Sequence, residues 1–427
     1  MDKKYYKTLK ETLYHQKMDN GLEVYIMPKK GFNKSYGLFT TDFGSIDNTF
    51  IPLGEKDYIK VNDGIAHFLE HKMFDMKDGK DASSEFAKLG ASSNAFTSTT
   101  RTAYLFSTVE HEKECVNLLL DFVQELNITH ESVEKEKGII KQEIKMYDDD
   151  PDWLSYFGSI SNLYQKHPIN KDIAGDCESV DAISLEELYK CYNTFYHPSN
   201  MVLFIVGNVD PTEIMNSVVA NQNNKDFKDA KSIMKKKVIE PSEVAVARVE
   251  KKANVLMNKV ITAIKINDIY TDPQKNLKRE LSMNILLDCL FSKSSDLYDR
   301  LINEGKINSS FSANYTQTKD VAYIQLGGSQ NDYSLLEKTI MNIIENIDDI
   351  EITEDNFKRI QKKNIGSFIE MFNSMESVAN LFSRYYFEGI NALDIVDEFV
   401  NISLEDINNC KKYFNSKLTS TYILKND

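Results

Sequence analysis

The sequence predicts an α+β protein made of two homologous α/β units. Residues 183–191 match residues 402–410 at a constant offset of 219, and an aromatic pair and a strand-like segment follow each match. Segments with the alternating pattern of strands are interleaved with runs of helical periodicity in both halves of the chain. A duplication of long period explains both observations. The alternative is chance similarity between two capped amphipathic helices.

The boundary between the units is predicted from composition. Residues 221–241 are polar and rich in lysine, which is typical of a linker. We therefore predict an N-terminal unit at 1–220, a linker at 221–241 and a C-terminal unit at 242–427.

In the N-terminal unit, alternating apolar residues predict strands, and apolar residues every three or four positions predict helices. Gly90 is placed to end one helix, Thr129 to cap another and Pro211 to begin the last. The predicted strands are 22–27, 36–43, 92–99, 102–109 and 201–206. The predicted helices are 64–74, 82–89, 111–126, 130–147, 153–164, 185–195 and one that begins at Pro211.

The C-terminal unit shows the same two patterns. The predicted strands are 244–250, 259–266, 308–315, 321–326 and 419–424. The predicted helices are 277–291, 296–303, 332–347, 353–371, 375–388 and 404–414.

Composition restricts the class of protein. A net charge of −14 argues against nucleic acid as a main partner, because phosphate binding requires concentrated positive charge. No apolar stretch has the length of a membrane span, and the N-terminus has no apolar signal core. Five cysteines without a C-x-x-C pair indicate neither a disulfide framework nor a thiolate zinc site. Together these features predict a cytoplasmic protein without a membrane partner.

The stretch with the clearest chemistry is His67-Phe68-Leu69-Glu70-His71. On a helix, His67, Glu70 and His71 share one face. Two imidazoles can bind zinc, and a carboxylate beside them can take a proton from a zinc-bound water. The H-x-x-E-H spacing is the inverzincin order. A half-exposed polar patch is the alternative. All seven histidines lie in the first half, so only the first unit can hold a histidine-bound metal.

A third protein ligand is required, and the helix at 130–147 offers candidates. Glu136 and Glu143 are two turns apart and share a face, and the neighbouring Ile139 and Ile140 suggest that this face points inward. Two inward carboxylates are costly unless they bind a metal or hydrogen-bond donors. The alternative is a solvated face with ion pairs, so spacing alone leaves the role of Glu143 open.

These motifs resemble the pitrilysin family of zinc metallopeptidases, which includes insulin-degrading enzyme and the mitochondrial processing peptidase. The resemblance covers nearly the whole chain. Its further matches are Gly90-Ala91-Ser92-Ser93-Asn94-Ala95-Phe96-Thr97, Asp149-Asp150-Pro151, His167-Pro168 and Gly207-Asn208. Within the family, the chain is similar to the bacterial members related to the processing peptidase, and to the catalytic member of an adjacent-gene pair.

The resemblance implies a fold, a metal and residue roles. Each unit is expected to be a largely antiparallel sheet with helices packed on it, and the two units face each other in a clam-shell. His67, His71 and Glu143 would bind one zinc ion per chain. Glu70 would be the general base, and Glu136 would orient a ligand histidine.

The resemblance also implies a substrate class. One segment resembles the family's edge strand beside the metal, to which a peptide adds as an extra strand. Its residues are Ser93, Asn94, Ala95, Phe96 and Thr97. A plain core strand is the alternative. The expected function is therefore that of a zinc-dependent endopeptidase, a hydrolase acting on peptides or unfolded segments.

One departure from the family bears on partners. Family second halves often carry an Arg and a Tyr that bind substrate near the zinc, but residues 301–308 contain neither, and Arg300 is out of register. This departure predicts a paralogous partner subunit that supplies the pair in a heterodimer, with a homodimer as the alternative. The competing function is a non-catalytic peptide-binding or assembly subunit. Such subunits arise by loss of a ligand or of the base, whereas all five first-half positions are intact here.

Overall fold

A computed structural model describes residues 1–227 and 232–426. In the first half the strands are β1 (Asp2–Tyr6), β2 (Glu11–Lys17), β3 (Glu23–Pro28), β4 (Ser35–Thr41), β5 (Thr49–Ile51), β6 (Ile59–Lys60), β7 (Ser92–Thr97), β8 (Thr102–Thr108) and β9 (Met201–Gly207). The helices there are α1 (Ile65–Lys72), α2 (Ala82–Lys88), α3 (Glu112–Val123), α4 (His130–Asp148), α5 (Pro151–Leu163), α6 (Cys177–Ala182), α7 (Leu185–Phe195) and α8 (Pro211–Asn223).

The second half continues the same alternation of elements. Its strands are β10 (Met234–Lys235), β11 (Arg248–Ala253), β12 (Lys259–Ile266), β13 (Ser312–Gln317), β14 (Ala322–Ser329) and β15 (Thr419–Asn426). Its helices are α9 (Pro273–Phe291), α10 (Asp296–Asn303), α11 (Tyr333–Glu345), α12 (Glu354–Met371), α13 (Met375–Phe387), α14 (Ile395–Asn401) and α15 (Leu404–Asn409).

The strands form two large sheets of related topology. The first has the order β1-β2-β3-β9-β4-β8-β7, and the second has the order β11-β15-β12-β14-β13. Both are mainly antiparallel, with β3–β9 and β11–β15 as the parallel pairs. A small third sheet has the order β10-β5-β6. The predicted α+β class is confirmed.

The central strands of the first sheet are buried on both faces. On β9, Leu203 and Ile205 pack against the helices of the first half. Val202, Phe204 and Val206 belong to a core that continues into the second half. This two-sided burial explains the uninterrupted apolar sequence of β9, because a strand with one solvated face would alternate apolar and polar residues.

The two halves exchange one helix each. Helix α5 packs on β12 and β15 of the second sheet, and α13 packs on β4 and β9 of the first. The rings of Phe204 and Phe382 stack with centroids 4.3 Å apart across this junction. Each unit thus contributes one helix that packs on the sheet of the other unit. This arrangement agrees with the expected clam-shell.

Most predicted elements are present, but some were missed. Strands β1 and β2 form an antiparallel hairpin in which Asp2 pairs with His15. The first four residues of β1 are exposed, so the strand carries no apolar alternation from which it could be predicted. Helices α6 and α14 were also missed. The helix predicted at 404–414 is α-helical only to Asn409, and a 3-10 turn follows it.

The segment predicted as a linker contains regular structure. Helix α8 extends to Asn223, and β10 pairs with β5. Residues 228–231 of the predicted linker lie outside the described residues. The division into 1–220, 221–241 and 242–427 stays a prediction. Across the described ranges, no helix combines the length and apolar character that crossing a membrane requires.

Candidate metal centre

Helix α1 presents the H-x-x-E-H motif on one face. It begins after Gly64, whose φ of +89° favours glycine, and a Cβ at this position would overlap the carbonyl of Ala174. Ile65, Phe68 and Leu69 form the buried stripe of the helix. Because the motif residues lie on a different face, their side chains remain partly accessible.

Helix α4 supplies the carboxylates. Thr129 caps its start through a hydrogen bond from the backbone N–H of Ser132. Ile140 is buried, whereas Ile139 is 45% exposed, so only one of the two isoleucines supports the predicted inward face. Glu136 and Glu143 nevertheless both point towards α1.

The structure brings His67, His71 and Glu143 together. The Nε2 atom of His67 lies 3.8 Å from Oε1 of Glu143, and Nε2 of His71 lies 3.6 Å from Oε2. One donor atom from each of the three side chains lies within 4.8 Å of the others. Residues 1–227 and 232–426 contain one such cluster of metal-ligating side chains.

These distances fit a metal ion better than they fit direct hydrogen bonds. Separations of 3.6 and 3.8 Å are too long for N–H···O bonds. In tetrahedral zinc sites with bonds of about 2.1 Å, neighbouring donor atoms lie about 3.4 Å apart. Two imidazole nitrogens and a carboxylate oxygen are also a donor set of known catalytic zinc sites.

The electrostatics of the two histidines differ. Burial, together with the charge of His71, lowers the pKa of His67 to about 3, so its ring is neutral and keeps a lone pair at neutral pH. Nδ1 of His71 lies 3.0 Å from Oε1 of Glu136. A carboxylate can only accept at this distance, so Nδ1 carries a proton, and in the neutral ring the lone pair lies on Nε2, which faces Glu143. Burial lowers the pKa of His71, but the hydrogen bond with Glu136 and the neighbouring carboxylates outweigh it, so this pKa is raised above its ordinary value.

Glu70 lies beside the cluster and is held by β7. The hydroxyl of Thr97 donates a hydrogen bond to Oε2 of Glu70 at 2.6 Å. Burial raises the pKa of Glu70, while this hydrogen bond lowers it. Thr97, the last residue of β7, therefore restrains the orientation of the Glu70 carboxylate.

The five residues predicted to bind substrate lie on β7, the end strand of the first sheet. Within the described residues, no strand pairs with its outer edge. All five side chains have other contacts. Thr97 donates to Glu70, the hydroxyl of Ser93 lies 3.3 Å from that of Ser83, and Oδ1 of Asn94 accepts from the backbone N–H of Ala95. Ala95 packs against the core of the first half, and Phe96 packs against the core shared by the two halves, with the guanidinium of Arg101 5.5 Å from its ring. Any recognition of a peptide by this strand must therefore depend largely on its backbone.

Sequence reasoning missed two side chains near the cluster. Lys72 is 3% exposed, and its Nζ lies 3.4 Å from Oε2 of Glu136. Tyr147, one turn after Glu143, stacks on Trp153 with ring centroids 4.5 Å apart. The signal for Lys72 was present in the sequence, because it continues the apolar stripe of α1.

In the second half, the residue that corresponds to Glu70 of the H-x-x-E-H helix makes ordinary polar contacts. Asp288, which stands opposite Glu70 at an offset of 218, nearly that of the repeat, lies 3.1 Å from Nζ of Lys363 and also accepts from Asn364. Arg300 is exposed on α10 and lines a groove between α10 and α11. Asp288 is not part of the cluster of His67, His71 and Glu143.

Two family models match the chain. "Insulinase (Peptidase family M16)" matches residues 50–176, and "Peptidase M16 inactive domain" matches residues 182–364. Uncharacterized zinc protease YmfH of Bacillus subtilis is 47% identical over 404 residues, covering 95% of this chain and 94% of that protein. Zinc protease PqqE of Helicobacter pylori is 25% identical and covers 96% of this chain and 91% of that protein.

Solved structures show the same relationship. An M16-like peptidase from Alicyclobacillus acidocaldarius has a TM-score of 0.92 and 34% identity, with 98% of this chain and 99% of that chain covered. A protease from Helicobacter pylori has the same fold, with a TM-score of 0.84, 21% identity and coverage of 97% and 99%. The resemblance to the pitrilysin family is thereby confirmed, and the chain belongs to peptidase family M16, relatives of which are named zinc proteases.

Proposed function

We propose that this protein is a zinc-dependent endopeptidase that hydrolyses peptides or unfolded segments, as the catalytic subunit of a dimer. The observation that carries the proposal is the convergence of His67, His71 and Glu143 beside Glu70. Relatives named zinc proteases support the use of zinc by the family.

The proposed ligands of one zinc ion per chain are His67 and His71 through Nε2, and Glu143 through its carboxylate. The Nε2 atoms of both imidazoles face the carboxylate of Glu143, which would balance part of the charge of the ion. When bound, zinc acidifies a water molecule and polarises a substrate carbonyl. Glu136 holds His71 in the tautomer that binding requires.

Glu70 is the proposed general base. Its carboxylate takes a proton from the attacking water and delivers it to the amine that leaves when the peptide bond breaks. Thr97 restrains the carboxylate and so holds it in one orientation beside the ligand histidines. Burial raises the pKa of Glu70, which brings it closer to the pH of the cytoplasm and makes it a stronger base than an exposed glutamate.

The free edge of β7 is the proposed docking site for the substrate backbone. A peptide that pairs with Ser93, Asn94 and Ala95 would be extended and would lie beside Glu70, since β7 ends at Thr97. Backbone pairing requires an unfolded segment and reads little of its sequence. Both consequences favour peptides and unfolded segments over folded proteins as substrates.

The dimer belongs to the same proposal. Arg300 is exposed in the groove between α10 and α11, and residues 301–308 contain neither an arginine nor a tyrosine. A paralogous subunit would supply the missing substrate-binding pair, and a homodimer is the alternative. The mass of the purified protein by light scattering, alone and after co-expression with a paralogue, distinguishes these assemblies. A cytoplasmic location likewise stays a prediction.

The experiment is turnover of a quenched-fluorescent peptide library by zinc-stripped and zinc-reloaded protein. Reloading should restore turnover to the wild type but not to Glu143→Gln. Glu134→Gln is the matched control, because Glu134 is an exposed glutamate on the same helix. Zinc binding without turnover, in the isolated chain and with its paralogue, would favour the competing function as a non-catalytic peptide-binding or assembly subunit.

A further inference from the structure

A buried lysine interrupts the apolar stripe of α1. Ile65, Phe68 and Leu69 follow the spacing of a buried helix face, and the next position of that stripe is Lys72. Lys72 is only 3% exposed. Burial of an ammonium group is costly unless it is paired, so a lysine here requires specific partners.

Lys72 has two carboxylate partners. Its Nζ lies 3.4 Å from Oε2 of Glu136 and forms a close ion pair with Asp75. The side chain of Asp75 is 43% exposed and that of Glu136 is 12% exposed. Water can therefore solvate the charge of Asp75 when Lys72 is absent. The charge of Glu136 is mostly shielded from water and needs partners within the protein.

Glu136 in turn connects Lys72 to His71. One carboxylate oxygen faces Nζ of Lys72, and the other accepts from Nδ1 of His71 at 3.0 Å. Because two donors hold its two oxygens, the carboxylate has one orientation in which both contacts are kept. The lysine and the histidine are adjacent on α1, so this contact also joins α1 to α4.

We propose that Lys72 is a positioning residue for the metal centre. It acts through Glu136, whose orientation it fixes so that the carboxylate holds the ring of His71 with Nε2 directed at Glu143. The inference rests on the proposed zinc site. It assigns a role in the metal centre to a residue that is not one of the proposed ligands. It also explains why a lysine occupies a position of α1 where the helix pattern predicts an apolar side chain.

The competing explanation is that the ion pair is purely structural and only stabilises the packing of the end of α1 against α4. That role makes different predictions for Lys72→Met, which completes the apolar stripe with a side chain of similar length. Loss of a purely structural ion pair would lower the melting temperature of the zinc-free protein. Loss of a positioning residue would also weaken zinc binding, which loss of a purely structural ion pair would leave unchanged. The melting temperature alone does not separate the two, because Glu136 loses a buried partner in either case.

The test is the affinity for zinc, measured by competition with a chromophoric chelator on the full chain. Outer residues that orient ligands change metal affinity by about 10- to 100-fold. We expect Lys72→Met to weaken zinc binding by about tenfold, at the lower end of this range, because Lys72 contacts Glu136 and not a ligand. Asp75→Asn is the matched control and should change the affinity less than about twofold.

A double-mutant cycle separates the mechanism from a general disturbance. In the Glu136→Gln background, Lys72→Met should cause no further loss of zinc affinity, because the connecting carboxylate is gone. An equal loss in both backgrounds would overturn the proposal, as would wild-type affinity in Lys72→Met. If Lys72→Met lowers the zinc-free melting temperature, Lys72→Gln replaces it in the same cycle. An equal loss of zinc affinity in both backgrounds, or wild-type affinity in Lys72→Gln, would again overturn the proposal.

The wild-type protein provides the check on the underlying function. If it fails to bind zinc, the proposed metal centre itself is wrong. If it binds zinc and both Lys72 variants bind equally well, only the role of Lys72 is wrong.

Discussion

The hydroxyl of Thr97 donates a hydrogen bond of 2.6 Å to Oε2 of Glu70. Thr97 is the last residue of the edge strand β7, and Glu70 lies on α1 between the two histidines of the cluster. The bond thus connects the strand proposed to bind substrate with the carboxylate proposed to accept the proton. A peptide that pairs with β7 would therefore lie beside the carboxylate of Glu70.

Removal of the Thr97 hydroxyl should impair catalysis. A hydrogen bond to a charged group contributes about 1.5–3 kcal/mol, so we expect Thr97→Val to lower kcat/KM by about 10- to 100-fold. Thr97→Ser keeps the hydroxyl and should retain most of the activity. Steady-state turnover of a fluorogenic peptide measures both variants, with zinc content determined on the same samples. Wild-type kinetics in Thr97→Val would show that the bond has no catalytic role.

Zinc binding should change the fluorescence of Trp153. This residue is the only tryptophan of the chain and stacks on Tyr147, four residues after Glu143. Burial raises the pKa of Tyr147, and the charge of Glu143 and a hydrogen bond to it raise it further, so the ring senses the carboxylate. Titration of zinc into stripped protein should shift the emission of Trp153 in the wild type and not in Glu143→Gln. Constant emission during stoichiometric zinc uptake would contradict this coupling.

Glu388 should make stability fall as pH rises. Burial raises the pKa of Glu388 to about 7, against the opposing charge of Arg384. The folded state therefore keeps a proton that the unfolded state releases near pH 4.5, and stability is lost between these two values. Glu388→Gln should exceed the wild type in unfolding free energy by up to about 3 kcal/mol at pH 8 and by much less at pH 5.

Denaturant unfolding at the two pH values provides the measurement for Glu388. Glu376→Gln is the control, because Glu376 is exposed on α13, the helix that Glu388 directly follows. A stability difference between Glu388→Gln and the wild type that is the same at pH 5 and pH 8 would refute the prediction.

The exchanged helix α5 should tolerate no side chain at Gly158. A Cβ there would overlap the buried ring of Tyr422 on β15. Overpacking of this kind costs about 1–3 kcal/mol, which outweighs the gain of about 1 kcal/mol from replacing glycine within a helix. Gly158→Ala should therefore lower the unfolding free energy. Gly366→Ala on α12 has open space around the Cβ and should raise it by up to about 1 kcal/mol.

The two glycine variants are compared by their denaturation midpoints. A stabilised Gly158→Ala would show that the junction between the halves can relax around the new methyl group. The exchange of helices would then be looser than the stacking of Phe204 on Phe382 indicates.

The local sequence predicted the elements but not all of their partners. The buried strand β9 follows from its uninterrupted apolar run, and the helices α7 and α10 follow from apolar periodicity. The hairpin of β1 and β2 does not, because its residues are polar and its stability depends on pairing with β3. The segment predicted as a linker contains β10, which is short and is recognisable only by its pairing with β5.

The candidate site shows the same division. Helical spacing placed His67, Glu70 and His71 on one face, because all three lie within five residues. Spacing alone left Glu143 open, since its distance from His71 depends on how α4 packs against α1, and only the family resemblance singled it out. The contact of Thr97 with Glu70 likewise depends on how β7 packs against α1. Lys72 was within reach, because a lysine on an apolar stripe is a visible exception to the helix pattern.

The most direct measurement is turnover of a quenched-fluorescent peptide library by the wild type and by Glu70→Gln, with bound zinc determined for both. We predict that Glu70→Gln retains about one zinc per chain and loses turnover by several orders of magnitude, whether the wild type is active alone or with a paralogous subunit. Equal turnover by the two proteins, or none by the wild type in either assembly despite bound zinc, would contradict the proposed peptidase.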